Sequence, residues 1–252
     1  MTPAESDGAA GKAVPHKAQV FHISEPASQD YTVNGSTGDH VEGRQVPSGP
    51  LGGPVKRVLD ILIAVTTLIL ASPLMLAVGI ALKLSGGPVF FVHDRIGFGG
   101  KKFGCLKFRT MVQDPDKALQ EHLASNADAM AEWQETQKLR KDPRITLLGT
   151  MLRRSSIDEL PQLLNIIRGE MSCVGPRPVT PKELERYGPE VSLYLRTRPG
   201  LTGLWQTGGR SRLSYSERVA MDSSYVRNWS MALDIVILFR TIFAVIRTDE
   251  TS

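Results

Sequence analysis

The sequence predicts an α+β protein that is mostly helical, and three observations support that prediction. Residues 61–82 form an uncharged run of 22 residues, which indicates one long apolar helix. Two short apolar and aromatic segments on either side of residues 97–100 indicate a small β-hairpin. Further along, apolar residues recur mostly at helical spacing among charged neighbours. We therefore expect a membrane helix, a hairpin and interfacial amphipathic helices around a cytoplasmic domain.

Composition limits the class of protein. The 252 residues can bury the core of one or two domains and carry a net formal charge of +4. Residues 1–54 contain six acids against three lysines or arginines, so the remainder carries about +7. A basic folded part suits anionic lipid or nucleotide phosphates, and since no nucleic-acid motif accompanies the charge, no nucleic acid is expected as a partner. Two cysteines, Cys105 and Cys173, are too few for a disulfide framework and predict reduced, buried thiols.

The chain divides into three parts. Residues 1–54 mix Gly, Ser, Pro, Ala and Asp and predict a disordered tail. No basic segment followed by an apolar core opens the chain, so no signal peptide is expected. Residues 55–85 are expected to form the membrane helix, and residues 86–252 a cytoplasmic, membrane-associated domain.

The apolar helix is long enough, at about 33 Å, to cross a hydrocarbon layer of about 30 Å. Two observations favour a helix that bends and leaves on the side where it entered. Ser72-Pro73 stands mid-helix, where proline frees a carbonyl that serine can satisfy. Basic residues also flank both ends: they are Lys56, Arg57, Lys83, Arg95, Lys101 and Lys102. From these residues alone, a spanning and a re-entrant helix are equally supported. Asp60 is expected to pair with Arg57 at the interface.

The hairpin is predicted from residues 88–92 and 102–110. Its glycine-rich turn lacks the spacing of a phosphate-binding loop. Alternation along the second strand places Lys107 and Arg109 on one face, either at a site or in solvent. Residues 114–141 predict one or two surface helices, and residues 233–247 an interfacial helix too short to span.

Residues 155–178 hold the strongest chemical signal, an adjacent pair of acids among arginines. Asp158 and Glu159 supply carboxylates that can attack or hold a metal, and arginine forks pair with phosphate oxygens. The neighbouring arginines are Arg153, Arg154, Arg168 and Arg177. The alternative is structural, because residues 156–159 also read as a capping box. Pro161 is expected to disfavour helix at Leu160 and so to make an unusual turn that aims both carboxylates at one point.

Two further segments supply candidate binding residues. Arg177 lies between two prolines, which would fix it as a phosphate clamp; a rigid turn with a solvated arginine is the alternative. The stretch at residues 198–211 offers Trp205 to stack on a base and Gln206 or Arg210 to form hydrogen bonds, although the tryptophan also suits a core position.

Several blocks, taken together, resemble the bacterial sugar transferases, the monotopic polyprenyl-phosphate phosphoglycosyl transferases. The blocks are KRVLDILIA (56–64), GGPVFFVHDRIG (86–97), KFRTM (107–111), DPRITLLG (142–149), SSIDELPQLLNIIRGEMSCVGPRP (155–178) and RPGLTGLWQTGGRS (198–211). They occur in the family's order and cover roughly residues 55–245.

The resemblance implies a re-entrant helix that bends at Ser72-Pro73 and a catalytic domain on the cytoplasmic face of the bacterial inner membrane. It also implies transfer of a hexose 1-phosphate from a UDP-sugar, UDP-glucose or UDP-galactose, to undecaprenyl phosphate, with release of UMP. This reaction initiates exopolysaccharide or another surface glycan. Asp158 would attack phosphorus in a ping-pong course through an aspartyl-phosphosugar, and Glu159 would hold Mg²⁺.

The substrate-binding residues expected from these blocks are Lys107, Arg109, Arg153, Gln162, Arg177, Trp205, Gln206 and Arg210. A homo-oligomer is left open. Two other classes of protein also fit the residues: a metal-dependent pyrophosphate hydrolase at the membrane, and a non-catalytic membrane adaptor.

Overall fold

The computed structural model describes residues 49–136, 139–208 and 213–246. Its helices and strands alternate irregularly, and most of the described residues are helical. In chain order the elements are α1 (Gly53–Leu84), β1 (Phe90–Ile96), β2 (Lys102–Phe108), α2 (Pro115–Ser125), α3 (Ala127–Thr136), α4 (Leu147–Arg154), α5 (Gln162–Arg168), β3 (Ser172–Val174), α6 (Pro181–Glu185), α7 (Val191–Leu195), β4 (Gly200–Thr202), α8 (Leu204–Gly208), α9 (Tyr215–Arg227) and α10 (Met231–Ile246). The predicted tail falls mostly on residues 1–48, which lie outside the described residues.

Helix α1 confirms the long apolar helix. It contains 32 residues, about 48 Å of helix, and its most apolar window has a mean hydropathy of 2.5. Within the described residues it is the one helix long and apolar enough, by length and composition, to cross a membrane. The helix continues through Pro73, and the Ser72 hydroxyl donates to the Ile69 carbonyl at 2.8 Å. That carbonyl is the one that proline leaves without its helical partner, as the sequence predicted.

The N-terminal part of α1 is anchored in the domain by charge, which corrects two expectations. Asp60 is 3% exposed and does not pair with Arg57; its Oδ1 accepts hydrogen bonds from the Ser172 hydroxyl and the Cys173 amide. Lys56 is 4% exposed and forms an ion pair with Asp234. Since residues four apart share a helix face, these side chains point into the protein and not toward lipid headgroups.

Arg57 is committed to the protein as well. Its guanidinium donates to the carbonyls of Ile166 and Ile167 at 2.6 and 2.9 Å, at the C-terminal end of α5. The last carbonyls of a helix lack partners within the helix, so a cation there satisfies them and complements the dipole. The basic residues in the first turns of α1 therefore attach the helix to the domain.

Two small sheets frame the domain. Strands β1 and β2 pair antiparallel, from Phe90 opposite Phe108 to Ile96 opposite Lys102, which confirms the hairpin. Strands β3 and β4 pair parallel, with Ser172 opposite Gly200. The largest core cluster lies between α1, α5 and α10 and includes Ala64, Ile166 and Ile237, all 0% exposed.

The remaining predicted elements also agree with the structure. The segment after the hairpin forms two helices, α2 and α3. Cys105 and Cys173 are free and buried, as expected of reduced thiols. Helix α10 buries Ile237 and exposes apolar side chains on another face. These are Ile235, Val236, Phe239, Ile242 and Phe243. Their placement at a membrane interface stays a prediction.

Candidate active site

The acid pair lies on a short 3-10 turn, Ile157–Glu159, between α4 and α5. Ser156, immediately before it, has φ 57° and ψ 15°, and it is the non-glycine residue with positive φ in the described part of the chain. A left-handed residue without a special side chain costs of the order of 1 kcal/mol, which the surrounding fold must offset. The unusual backbone at this site is therefore at Ser156.

Two local expectations about this turn are wrong. Ser156 makes no side-chain cap; its backbone carbonyl accepts from the Glu159 amide at 3.2 Å, so residues 156–159 are not a capping box. Leu160 is helical, with φ −54° and ψ −35°, although proline follows it. The restriction on a residue before proline is a preference. Here two backbone hydrogen bonds outweigh it: the Leu160 amide donates to the Ile157 carbonyl, and the Leu163 amide donates to the Leu160 carbonyl.

Lys107 joins the hairpin to the acid pair. Its ammonium lies 2.6 Å from Glu159 Oε1 and 3.9 Å from Asp158 Oδ2. Burial raises the pKa of Asp158 to about 6, Lys107 opposes that rise, and the charge of Glu159 adds to it. At neutral pH Asp158 is therefore mostly ionised, as expected, but with a margin of about one unit.

A cavity of about 1740 Å³ contains the acid pair in its wall. It brings together every predicted site residue that the structure describes: Lys107, Arg109, Arg153, Asp158, Glu159, Gln162, Arg177, Trp205 and Gln206. Arg210 lies outside the described residues. Another part of the wall is apolar and comes from α1 and α10. It includes Leu59, Ile63, Leu74, Ile235, Leu238, Phe239 and Ile242.

Arg153 and Arg109 are held by different partners around this cavity. Arg153 Nε donates to Thr110 Oγ1 at 2.9 Å. Helix α4 reaches this position through Gly149, because a Cβ there would lie 2.0 Å from the Thr110 carbonyl oxygen. Arg109 donates to the Leu82 carbonyl and the Ser85 hydroxyl at the C-terminal end of α1. A cation at a helix C-terminus is favourable, so Arg109 also joins α1 to the cavity wall.

Trp205 has a different environment from the one expected for a base-stacking residue. It is 7% exposed, and two guanidiniums lie over its ring, Arg177 at 5.2 Å and Arg218 at 4.9 Å from the centroid. Cation–π contact with buried indole is favourable and fixes the arginines. Sequence reasoning missed Arg218, which lies outside the quoted blocks. The signal that could have indicated it is its spacing of four residues from Asp222 on α9.

The side chains of this site can be compared with the ligands that Mg²⁺ usually has in proteins. No group of three or more His, Cys, Asp or Glu that could hold a metal occurs among residues 49–136, 139–208 and 213–246. Mg²⁺ is often held by only one or two carboxylates, with phosphate oxygens and water completing the shell. Asp158 and Glu159 fit that pattern, although Lys107 donates a hydrogen bond to Oε1 of Glu159.

A helix long and apolar enough to cross a membrane and a cavity lined by carboxylates, a lysine and arginines are the features expected of an enzyme that handles phosphate at a membrane. Residues 52–248 match the family model described as bacterial sugar transferase, and the chain belongs to this family. The resemblance seen in the sequence blocks is confirmed. The chain is thus an enzyme, a sugar-phosphate transferase, and the adaptor alternative is set aside.

Three relatives illustrate the similarity. The chain is 57% identical over 197 residues to the exopolysaccharide production protein ExoY of Sinorhizobium fredii, covering 78% of the chain and 87% of that protein. It is 48% identical over 195 residues to the undecaprenyl-phosphate galactose phosphotransferase of Salmonella typhimurium, covering 77% of the chain and 41% of that protein. It is 39% identical over 217 residues to the UDP-glucose:undecaprenyl-phosphate glucose-1-phosphate transferase of Caulobacter vibrioides, covering 81% and 76%.

Proposed function

We propose that the chain transfers a hexose 1-phosphate from UDP-glucose or UDP-galactose to undecaprenyl phosphate, releasing UMP, as an initiating step of exopolysaccharide synthesis. The proposed substrates and pathway are taken from the names of the relatives. The observation that carries the proposal is the position of Asp158: a buried carboxylate beside Lys107, in a cavity that is basic around the acid pair and apolar along α1 and α10. The basic part of the wall suits the phosphates of both substrates, and the apolar part suits the hydrocarbon chain of the lipid phosphate.

In the first half-reaction the Asp158 carboxylate attacks the sugar-side phosphorus of the UDP-sugar. A carboxylate–phosphorus bond forms, the phosphoanhydride bond breaks, and UMP leaves with the electron pair. Lys107, Arg153 and Arg177 line the cavity and would stabilise the negative charge that develops on the phosphoryl oxygens. Asp158 needs no general base, because it is mostly ionised at neutral pH.

In the second half-reaction a phosphate oxygen of undecaprenyl phosphate attacks the aspartyl phosphorus. The bond to Asp158 breaks, the carboxylate is regenerated, and the sugar leaves on a lipid diphosphate. Glu159 would hold Mg²⁺, which when bound offsets the charge of the diphosphate. Lys107 keeps Glu159 in place through its 2.6 Å contact.

The contacts of α1 support a helix that enters and leaves the membrane on one face, which for an enzyme that uses a UDP-sugar would be the cytoplasmic face. Its first turns bind the domain through Lys56 and Asp60, and its last turns pack Val78 and Leu82 against Phe108 in the same domain. Contacts between both ends of the helix and one domain favour a helix whose two ends lie on the same side of the bilayer. The middle of the helix exposes Ile69, Leu70 and Leu76 and is the part available to lipid.

The test is UMP release by the full chain in nanodiscs, with UDP-glucose and UDP-galactose supplied separately. Without acceptor we expect at most one UMP per enzyme, and with undecaprenyl phosphate we expect sustained release together with a lipid diphosphosugar. Asp158→Asn should abolish both, while Asp128→Asn, an exposed aspartate of α3, should leave them unchanged. Sustained release of UMP and free sugar phosphate without acceptor would instead establish the pyrophosphate hydrolase.

A further inference from the structure

Asp222 is a buried carboxyl for which the proposed reaction has no role. It lies on α9, one turn after Arg218, and is 2% exposed. It borders a small cavity behind the wall of the large one. Three residues line both cavities: Arg177, Trp205 and Arg218. Asp222 therefore shares a small cavity with three residues of the site but does not line the cavity that contains the acid pair.

The contacts of Asp222 lead to the Pro-Arg-Pro segment. Its Oδ2 accepts a hydrogen bond from the Tyr187 hydroxyl at 2.8 Å and one from the Arg177 backbone amide at 3.4 Å. Tyr187 is itself fixed by edge-on ring contacts with Tyr194 and Tyr215, at 5.1 and 6.3 Å between centroids. The other oxygen, Oδ1, has no hydrogen-bond partner among the described residues. One rigid acceptor thus holds the backbone of Arg177.

Asp222 also places negative charge near the two arginines that lie over Trp205. The guanidiniums of Arg177 and Arg218 both lie over the same indole ring, where the two half-buried like charges repel each other. Glu183 also borders the small cavity, but it is committed to Arg95 at 2.7 Å and to the N-terminus of α6. The charge of Arg177 acts on both Glu183 and Asp222, and Asp222 is the one of these two carboxyls on which the charge of Arg218 acts as well.

Keeping a carboxyl at this depth has an energetic cost. Burial raises the pKa of Asp222 to about 7, against the lowering effects of the Tyr187 hydrogen bond, the Arg177 amide and the charges of Arg177 and Arg218. Ionising such a group disfavours the folded state, so a role in stability alone does not explain its presence. The cost is understandable if the charge serves the site.

We propose that Asp222 is a positioning residue that holds Arg177 in the orientation in which Arg177 binds the diphosphate of the nucleotide sugar. It acts through Arg177 and does not touch the substrate. The backbone hydrogen bond fixes the segment between the two prolines, and the negative charge keeps the Arg177 and Arg218 guanidiniums together over Trp205. This inference rests on the proposed function for the identity of the diphosphate.

The test is a double-mutant cycle between Asp222→Asn and Arg177→Gln in the full chain, held in nanodiscs. Asparagine keeps the shape of Asp222 and an oxygen for the hydrogen bonds but loses the charge. We expect Asp222→Asn alone to lower kcat/KM for the UDP-sugar about tenfold or more, mainly through KM, and to weaken the binding of inorganic pyrophosphate similarly. In the Arg177→Gln background the same change should alter both quantities less than about threefold, because its target is gone.

Thermal denaturation at about pH 8 separates positioning from a merely structural role. There Asp222 is ionised at a cost, so Asp222→Asn should melt at or above the wild-type temperature. Asp128→Asn is the matched control and should change none of these quantities. Tyr187→Phe, which removes only the hydroxyl, is the second variant: it should weaken pyrophosphate binding in the same direction.

Equal losses from Asp222→Asn with and without Arg177 would overturn the inference, as would wild-type pyrophosphate affinity in Asp222→Asn. If Asp222→Asn does not fold, unchanged pyrophosphate affinity in Tyr187→Phe overturns it instead. A wild-type chain that binds pyrophosphate but releases no UMP would refute the proposed function, and the pyrophosphate cycle would still decide the role of Asp222.

Discussion

The pH dependence of the first half-reaction should report the ionisation of Asp158. Burial raises the pKa of this carboxyl to about 6, so its reactive form falls from about 90% at pH 7 to about half at pH 6 and about 10% at pH 5. For a ping-pong enzyme, kcat/KM for the UDP-sugar contains only the steps up to UMP release. We therefore expect it to fall about tenfold per pH unit below that midpoint.

Replacing Lys107 should shift the pKa of Asp158 in a direction that the structure predicts. Its ammonium lies 3.9 Å from Asp158 Oδ2 and favours the ionised form, so Lys107→Gln should raise the pKa of Asp158. At this distance the attraction is about 1 kcal/mol in water and about 4 kcal/mol at an effective dielectric constant of 20. Because the lysine side chain is 27% exposed, solvent screening favours the lower part of that range. A loss of 1–2 kcal/mol corresponds to about one pKa unit, which moves the midpoint to about pH 7.

The assay is quench-flow measurement of UMP formed in the first turnover, without lipid acceptor, from about pH 5 to 9. Lys107→Gln should also lower the plateau, since Lys107 faces the substrate; the midpoint is the quantity that tests the reasoning. Lys102→Gln, an exposed lysine on the same strand, is the control and should leave the midpoint in place. A midpoint that Lys107→Gln does not move, or a rate that stays flat down to pH 5, would refute the assignment of Asp158.

Three further changes test the site, the anchor and the topology. Glu159→Gln should reduce turnover nearly as severely as loss of the nucleophile, and activity within about threefold of wild type would exclude Glu159 from the chemistry. Lys56→Met should lower the free energy of unfolding by about 3–5 kcal/mol, because it leaves Asp234 buried and unpaired; an unchanged melting temperature would contradict this. In a cysteine-free background, Ser48→Cys and Ser125→Cys should resist an impermeant thiol reagent in intact cells and react after lysis, and labelling of Ser48→Cys before lysis would mean that α1 spans the bilayer.

Local sequence signals predicted the elements but not how charges pair between them. Each of these signals is local in the sequence. The uncharged run predicted α1, the glycine-rich turn predicted the hairpin, and the helical spacing predicted α2 and α3. The partner of Lys56 is Asp234, 178 positions away, and no local pattern indicates such a pair. Lys56 and Arg57 looked like a basic membrane flank because a buried, paired lysine and an exposed one are identical in sequence.

The site was predictable where a motif concentrates chemistry. Asp158, Glu159 and Lys107 come together as the family blocks implied. The shape of the turn was not predictable, because the Ser-x-x-Glu pattern of a capping box does not exclude a left-handed serine. Arg218 and Asp222 were missed because on a polar helix their spacing is equally typical of a solvated face. Only packing against Trp205 and Tyr187 reveals their role.

The central claim is that Asp158 carries the phosphosugar between the two substrates. The most direct measurement mixes the wild-type chain with UDP-sugar labelled in the sugar, omits the lipid acceptor, denatures the protein and identifies the labelled peptide by mass spectrometry. We expect the mass of one hexose phosphate on Asp158, its disappearance when undecaprenyl phosphate is added before denaturation, and no label in Asp158→Asn. Steady formation of the lipid product with no adduct on Asp158 at any time would contradict the covalent mechanism.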